Sequence, residues 1–154
     1  MSDAVAGITS TGSKRPEALF GGAVPGVPRA MVRSEGCRVW DAQGREYLDL
    51  IMGLGAVALG YADPHVTEAA VAAVRAGVVG PLPPVLEEQV ATELRRLIPW
   101  AERLRFLKTG AEAMAAAVRL ARTVTGREGV LGCGYHGWLD WCQTGAPGVP
   151  AGTR

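Results

Sequence analysis

The sequence lacks the features that would assign it to three large classes of protein: a charge imbalance, a long apolar segment and a cluster of metal ligands. Its 16 basic and 15 acidic side chains leave a net charge of +1, so it lacks the positive field of nucleic-acid-binding proteins. The longest apolar run, residues 50–62, contains three glycines and is too short to span a bilayer. We therefore expect neither a nucleic acid nor a membrane as a partner.

Cysteine and histidine are also scarce. The three cysteines, Cys37, Cys133 and Cys142, form no CxxC pair, and the two histidines, His65 and His136, have no ligand spacing around them. An odd number of unpaired cysteines fits free thiols in a reducing compartment. The first residues have neither the cationic start nor the apolar stretch of a secretory signal. The sequence thus predicts no metal site and a cytoplasmic location.

The amino-terminal third predicts a β-hairpin. Cys37–Trp40 and Glu46–Leu50 have strand-like composition, and the polar Asp41–Gly44 between them favours a chain reversal. The small residues of the following segment, Met52–Gly60, predict a backbone that packs close to another part of the chain.

Three helices with recognisable ends are predicted next. The first begins after Asp63, whose side chain is a good N-cap, and ends at Gly77. Apolar spacing places the second over Val85–Leu97. The third is the alanine-rich segment Ala111–Val124, with Gly126 as its C-cap.

Two short strands are predicted on either side of the third helix. Arg103–Leu107 alternates apolar residues with arginine, and Gly129–Cys133 is apolar and bounded by glycine. Strands separated by one helix of this length favour a parallel pair, so we expect an α/β fold.

The most informative segment is the predicted turn at Thr109-Gly110-Ala111, where a strand ends and a helix begins. The first N–H groups of a helix are unpaired and lie at the positive end of its dipole, so a phosphate fits there. The amides of Gly110 and Ala111 and the Thr109 hydroxyl would hold it. Taken alone, the turn is better explained by Thr109 acting as an ordinary helix cap.

A second segment, Gly134–Gly137, strengthens the phosphate interpretation. In a parallel sheet, both segments would lie at the carboxyl ends of strands, where α/β folds bind ligands. Tyr135 could then stack a planar ring above the phosphate; an amphipathic aromatic at the edge of the core is the alternative.

Taken together, these segments resemble the class-III, fold-type I pyridoxal-phosphate (PLP) aminotransferases, especially the glutamate-1-semialdehyde aminomutase-like branch. The resemblance runs from about Phe20 to Asp140. Its motifs follow one another at family-like spacing: Gly21-Gly22, Pro28-Arg29-Ala30, Val39-Trp40-Asp41, Gly44, Tyr47-Leu48-Asp49, Leu59-Gly60, Pro64, Thr109–Ala113, Arg119–Arg122, Thr125-Gly126-Arg127 and Gly134–Gly137.

The resemblance implies a partial fold-type I transferase: part of the large-domain sheet with flanking helices, plus an amino-terminal β-hairpin. We expect a flexible leader at residues 1–16 and an amino-terminal segment with the hairpin at residues 17–62. Residues 63–154 would form an incomplete PLP-binding large domain.

The resemblance also implies roles for single residues. Thr109-Gly110-Ala111 matches the turn that binds the cofactor phosphate, although many relatives have a hydroxyl residue in place of Ala111. Tyr135 matches the aromatic that stacks on the pyridine ring, and His136-Gly137 completes that motif.

For the substrate, Arg29 falls near the position that receives a carboxylate in the aminomutase branch, a role that suits its guanidinium fork. An exposed arginine with no such role is the alternative. Gly53-Leu54 lies where relatives line the substrate pocket, often with an aromatic in place of Leu54, which leaves the substrate open.

The resemblance further implies a Schiff-base lysine and an acidic partner for the pyridinium nitrogen, both after the position of Gly137. The only lysines are Lys14, in the leader, and Lys108, beside the phosphate turn. We therefore expect a fragment of a homodimeric aminotransferase or aminomutase that is inactive by itself. The parent would move an amino group between an amino donor and an oxo acid or aldehyde.

Three other functions are alternatives to this one. The chain could be a non-catalytic assembly partner of a full-length relative, using surface that relatives bury on dimerisation. Residues 53–58 match a dinucleotide fingerprint of NAD-linked oxidoreductases, but residues 59–64 would break the helix that it needs. A hydrolase lacks support because there is no Gly-x-Ser-x-Gly elbow.

Overall fold

The structure, a computed structural model, describes residues 4–22, 24–77, 80–143 and 145–151. These residues form two compact units, the first ending at residue 78 and the second beginning at residue 79. The elements in chain order are a 3₁₀ turn (Gly12–Lys14), α1 (Pro16–Phe20), β1 (Met31–Glu35), β2 (Arg38–Asp41), β3 (Glu46–Leu48), α2 (Pro64–Ala76), α3 (Val85–Leu97), α4 (Gly110–Thr125) and a 3₁₀ turn (Asp140–Cys142).

The first unit contains an antiparallel sheet in the order β1-β2-β3. The predicted hairpin is confirmed as β2 and β3, with Arg38 opposite Leu48 and Trp40 opposite Glu46. Strand β1 was not predicted, because its sequence Met-Val-Arg-Ser-Glu does not alternate between apolar and polar residues. It pairs with β2 and has an irregularity in register between Met31 and Arg33.

The hairpin turn is organised around Asp41, a residue that is only 2% exposed. Its carboxylate accepts hydrogen bonds from the Gln43 amide at 2.9 Å, the Arg45 amide at 2.9 Å, the Arg45 Nε at 2.7 Å and the Tyr47 hydroxyl at 3.1 Å. Burial alone would raise the pKa of Asp41, but these hydrogen bonds outweigh it and the pKa is lowered. The turn is therefore held by an ionised, fully bonded carboxylate.

A second carboxylate closes the loop that follows the hairpin. Asp49 accepts hydrogen bonds from the Tyr61 hydroxyl at 2.6 Å and from the Ile51 amide at 2.8 Å. The backbones of Gly36 and Tyr61 exchange two hydrogen bonds of 2.8 Å. A Cβ on Gly60 would lie 3.2 Å from the Gly36 Cα, which confirms the predicted close packing of this glycine-rich segment.

The three long helices begin and end close to the predicted residues. At the start of α2 the Asp63 carboxylate accepts the Val66 amide at 3.0 Å, and Gly77 ends the helix in the left-handed conformation. The bounds of α3 are those predicted. Helix α4 extends the prediction by one residue at each end, and Gly126 is its left-handed C-cap with φ of 67°.

The two strands predicted beside α4 are wrong for the described residues: neither residues 103–107 nor residues 129–133 form a strand. A strand forms only where a neighbour accepts its backbone hydrogen bonds. These segments pair neither with each other nor with another described segment. The expected parallel pair is therefore absent from the part of the chain that the structure describes.

The beginning of the chain contains two short helical segments. Residues 12–14 form a 3₁₀ turn and Pro16 opens α1, a common first position for proline in a helix. Residues 1–3 and residues 152–154 lie outside the described residues. The flexibility of residues 1–16 and the predicted boundary after residue 62 stay predictions.

No side chain of the large hydrophobic residue types is buried within the described ranges. Many apolar positions of the helices are exposed, including Val74 of α2, Leu97 of α3 and Val124 of α4, each at 73% or more. Burial of such side chains is the main stabilising contribution to a folded domain. These helix faces are therefore available to pack against another surface. No described helix combines the length and the apolar character needed to cross a membrane.

We predict that the Tyr61→Phe variant unfolds its hairpin unit at a higher pH, as acid is added, than the natural chain. The Tyr61 hydrogen bond is the largest cause that lowers the pKa of Asp49. A carboxyl group with a lowered pKa adds stability above its unfolded-state pKa, and this stability is lost as the pH falls through the folded-state pKa. Without the hydroxyl, that loss comes earlier in an acid titration.

The measurement is an NMR pH titration of the Ile51 and Met52 amides, which donate to Asp49. Tyr135→Phe is the matched control, because the Tyr135 hydroxyl has no hydrogen-bond partner among the described residues. Equal acid midpoints for the Tyr61→Phe and Tyr135→Phe variants would contradict the prediction.

Candidate functional site

The first turn of α4 is closed by a reciprocal pair of hydrogen bonds. The Thr109 hydroxyl oxygen accepts the Glu112 amide at 3.2 Å, and the Glu112 carboxylate accepts the Thr109 amide at 3.0 Å. This arrangement is a capping box, and it satisfies two of the donors that a helix start leaves unpaired. Thr109 is therefore a helix cap, as one of the two sequence interpretations predicted.

The cap leaves donors for an anion. Among the described residues, the amides of Gly110 and Ala111 have no hydrogen-bond acceptor. The Thr109 hydroxyl uses a lone pair in the cap, so its own proton can still be donated. No atom lies within 4 Å of where a Cβ on Gly110 would stand, so an oxygen can approach the backbone. The turn therefore fits a phosphate group while Thr109 remains a cap.

Glu112 limits where an anion can bind. Its carboxylate already accepts the Thr109 amide and places a negative charge beside the turn. An incoming phosphate would be repelled from that side by the like charge. The donors available to it are therefore the Gly110 and Ala111 amides and the Thr109 hydroxyl.

The structure brings the Gly134–Gly137 loop onto this turn. Gly137 is buried, with φ of 105°. A Cβ placed on it would lie 2.6 Å from the Ala111 Cβ and 2.9 Å from the Ala111 Cα. The backbone of Gly137 therefore packs directly against the first turn of α4. Two motifs that stand 26 positions apart in the sequence meet at this contact.

The two residues before Gly137 have different environments. The His136 ring contacts Trp141 edge to face, with centroids 6.4 Å apart and an interplanar angle of 63°. Tyr135 is 81% exposed and makes no ring contact or hydrogen bond within the described ranges. Its ring is therefore accessible to a ligand, and its stacking role stays a prediction.

A contact that the sequence did not predict lies just after the loop. The Gln143 side-chain Nε2 donates to the Gly137 carbonyl oxygen at 2.7 Å. The Cys142 thiol also approaches that oxygen, with a distance of 3.4 Å from its Sγ. No motif marks Gln143, and its proximity to Gly137 depends on the 3₁₀ turn that separates them. Sequence reasoning had no signal by which to find it.

The predicted substrate residues, Arg29 and Gly53-Leu54, belong to the first unit. Met52, Gly53, Leu54 and Gly55 form a run of left-handed residues, with φ values of 49°, 61°, 58° and 86°. Leu54 is 69% exposed. Arg29 is exposed and makes no ion pair within the described ranges. The roles of these residues toward a substrate stay predictions.

The run of left-handed residues also bears on the dinucleotide alternative. A dinucleotide fingerprint needs a helix that begins at its glycines and directs its amides toward the pyrophosphate. Residues 51–58 instead form successive turns, and the next helix begins only at Pro64. The geometry of this segment therefore does not match a dinucleotide-binding turn.

No group of three or more His, Cys, Asp or Glu side chains is placed to hold a metal ion in the described part of the chain. All three cysteines are free thiols.

Comparisons with known proteins agree on one family. The family model described as aminotransferase class-III matches residues 22–144. Among solved structures, an omega-transaminase from Sphaerobacter thermophilus shares 29% identity over 85% of this chain and 34% of its own, with a TM-score of 0.74. The PLP internal aldimine form of the Sphingopyxis sp. MTA144 FumI protein shares 29% identity over 85% of this chain and 32% of its own, with a TM-score of 0.78.

A glutamate-1-semialdehyde aminomutase from Pseudomonas aeruginosa PAO1 is also similar, with 30% identity over 73% of this chain and 25% of its own, and a TM-score of 0.64. The 154 residues thus span between a quarter and about a third of the length of these proteins. The similarities confirm the predicted fold class, a partial α/β fold of the fold-type I transferases.

We predict that Gly137→Ala separates the loop from α4, whereas Gly134→Ala does not. Both glycines have positive φ, 105° and 86°, so alanine strains the backbone at each position, by roughly 1–3 kcal/mol. Only the Cβ at residue 137 meets another residue, Ala111; around a Cβ at residue 134 there is open space. The measurement is the NMR shift of the Ala111 and Glu112 amides, and equal perturbation by both variants would contradict the predicted contact.

Proposed function

The chain belongs to the class-III aminotransferase family, and from that premise we propose that it supplies the phosphate-binding turn of a PLP-dependent aminotransferase or aminomutase. The observation that carries the proposal is the contact between Gly137 and Ala111. This contact connects two segments: the loop that carries the exposed Tyr135 ring, and the helix start that carries two unpaired amides. The cofactor of the solved FumI structure, PLP, has the phosphate and the planar ring that such a pair of segments would bind.

Each residue of the proposed site has a defined task. The Gly110 and Ala111 amides and the Thr109 hydroxyl bind the phosphate oxygens at the positive end of α4. Tyr135 offers a flat apolar face to the pyridine ring. When bound, PLP supplies the carbonyl that takes up an amino group and the ring that accepts electrons during the transfer. Ala111 contributes no hydroxyl, so phosphate binding relies on backbone donors.

On the substrate side, we propose that Arg29 receives a carboxylate and that Gly53-Leu54 lines the pocket. An unpaired, exposed guanidinium is free to make a bidentate contact with a carboxylate. The reaction would move an amino group between an amino donor and an oxo acid or aldehyde. Similar structures include both an omega-transaminase and an aminomutase, so the proposal covers transfer between two molecules and transfer within one.

For the whole protein, the proposal includes a homodimer in the cytoplasm. The exposed apolar faces of α2, α3 and α4 support association with another surface, and the free thiols support a reducing compartment.

The same exposed faces support a second candidate function, assembly with a full-length relative without catalysis. Mixing the chain with such a relative and measuring molar mass by sedimentation separates the two. Formation of a stable mixed complex with unchanged activity of the relative would favour assembly.

We predict that PLP binds the 154-residue chain more tightly than pyridoxal, which lacks the phosphate, and that Gly110→Pro removes much of the difference. Proline suits the first helical position and lacks only the N–H that the helix does not use. The preceding Thr109 already has extended backbone angles, which a following proline requires. Loss of one charge-assisted hydrogen bond should weaken PLP binding by about tenfold.

Gly110→Ala also adds a side chain at this position but keeps the amide and meets no neighbouring atom of the chain, so it is the matched control and should bind PLP more tightly than Gly110→Pro. Equilibrium dialysis gives the dissociation constants, and far-UV circular dichroism checks that α4 is retained. If PLP and pyridoxal bind equally well, or if Gly110→Pro binds PLP like Gly110→Ala, the phosphate site is not where we place it.

We also predict that the 154 residues alone do not transaminate. The family resemblance implies a catalytic lysine after the position of Gly137, and both Lys14 and Lys108 precede that position. Borohydride reduction in the presence of PLP, followed by mass spectrometry, should therefore give only scattered, substoichiometric labelling. Stoichiometric labelling of one lysine, lost in the corresponding lysine-to-arginine variant, would show that this prediction is wrong.

A further inference from the structure

The segment Leu139–Gln143, called the clip below, holds the Gly134–Gly137 loop through two separate contacts. Gln143 Nε2 donates to the Gly137 carbonyl oxygen at 2.7 Å. Trp141 packs edge to face with the His136 ring. Both contacts are made to residues that directly follow Tyr135. The clip therefore acts on the part of the loop that carries the proposed stacking ring.

Gly137 makes contacts with two different segments. Its Cα packs against Ala111 of α4, and its carbonyl oxygen accepts the Gln143 hydrogen bond. Cys142 adds a weak thiol contact to the same oxygen and a second one to the Leu139 carbonyl at 3.2 Å. The Gln143 amide must present its nitrogen to the Gly137 oxygen, because a carbonyl can only accept a hydrogen bond. The short distance and the requirement for a donor make Gln143 the main contact of the clip.

A loop bounded by two glycines needs such a contact. Gly134 and Gly137 both have positive φ. In a free chain a glycine adopts this conformation and many other conformations, so the two glycines alone do not fix the shape of the loop. Nothing in the backbone hydrogen bonds of the described residues ties residues 134–136 to a strand or helix. The position of the loop on α4 therefore depends on the contacts of Gly137 and His136.

We infer that Gln143 is a positioning residue: through the Gly137 carbonyl it holds the loop on the first turn of α4, and so sets the place of Tyr135 above the proposed phosphate site. The inference rests on the proposed function for its second half, the effect on PLP. Its first half, the position of the loop, concerns the chain without any ligand. The two halves can be tested separately.

The decisive variants are Gln143→Glu and Gln143→Met, which keep the approximate side-chain length but lack the N–H donor. Gln89→Glu is the matched control, because Gln89 lies exposed on α3 and its side chain makes no hydrogen bond within the described ranges. The use of both a charged and an apolar replacement separates loss of the donor from gain of a charge.

In the ligand-free chain, we expect the nuclear Overhauser contact between the Gly137 Hα and the Ala111 methyl group to be lost in both Gln143 variants and kept in Gln89→Glu. The backbone order parameters of residues 134–137 should also fall in both Gln143 variants, because the loop loses the hydrogen bond that holds the Gly137 carbonyl. With PLP present, the dissociation constant should rise by about tenfold while that of pyridoxal rises by a similar factor, because the ring contact rather than the phosphate contact is affected.

Persistence of the Gly137–Ala111 contact with unchanged order parameters in the Gln143 variants would overturn the inference, whatever PLP does. Loss of the contact with no change in PLP affinity would overturn its second half. If the natural chain does not prefer PLP to pyridoxal, the proposed function fails, and the effect of Gln143 on the loop is then structural only.

Discussion

The contact of Gly137 with Ala111 is the constraint on which the candidate site depends. A glycine is required at residue 137 for two independent reasons: its φ is positive, and a Cβ would overlap the first turn of α4. The contact places the Gly134–Gly137 loop beside the start of α4, so two motifs that are weak signals separately form one surface. Without it, Thr109 would be an ordinary helix cap, and nothing would connect the loop that carries Tyr135 to that cap.

Capping and anion binding turn out to be compatible at this helix start. The capping box takes the Thr109 and Glu112 amides and leaves those of Gly110 and Ala111 unpaired. The cap therefore orders the turn and at the same time selects which donors face a ligand.

Helix ends could be predicted from the sequence, because their signals are local. The Asp63 side chain caps α2 by accepting the amide of Val66, three residues later, and Gly126 ends α4 because its backbone is left-handed. The absence of strands at residues 103–107 and 129–133 could not be predicted, because strand formation depends on hydrogen-bond partners far away in the chain. The same distinction between local signals and long-range contacts applies to the candidate site. The motif residues were found by pattern, whereas Gln143 reaches Gly137 only through a 3₁₀ turn that no pattern marks.

The most direct test of the account is a titration of the chain with PLP, followed by the NMR shifts of all backbone amides and aromatic rings. We expect the largest amide shifts at Gly110 and Ala111, together with an upfield shift of the Tyr135 ring protons at the same dissociation constant. The first turns of helices α2 and α3 serve as internal controls, because they are helix starts in the same sample. If the largest shifts occur there, or if the Tyr135 ring does not respond, the phosphate site at α4 and the stacking role of Tyr135 are contradicted.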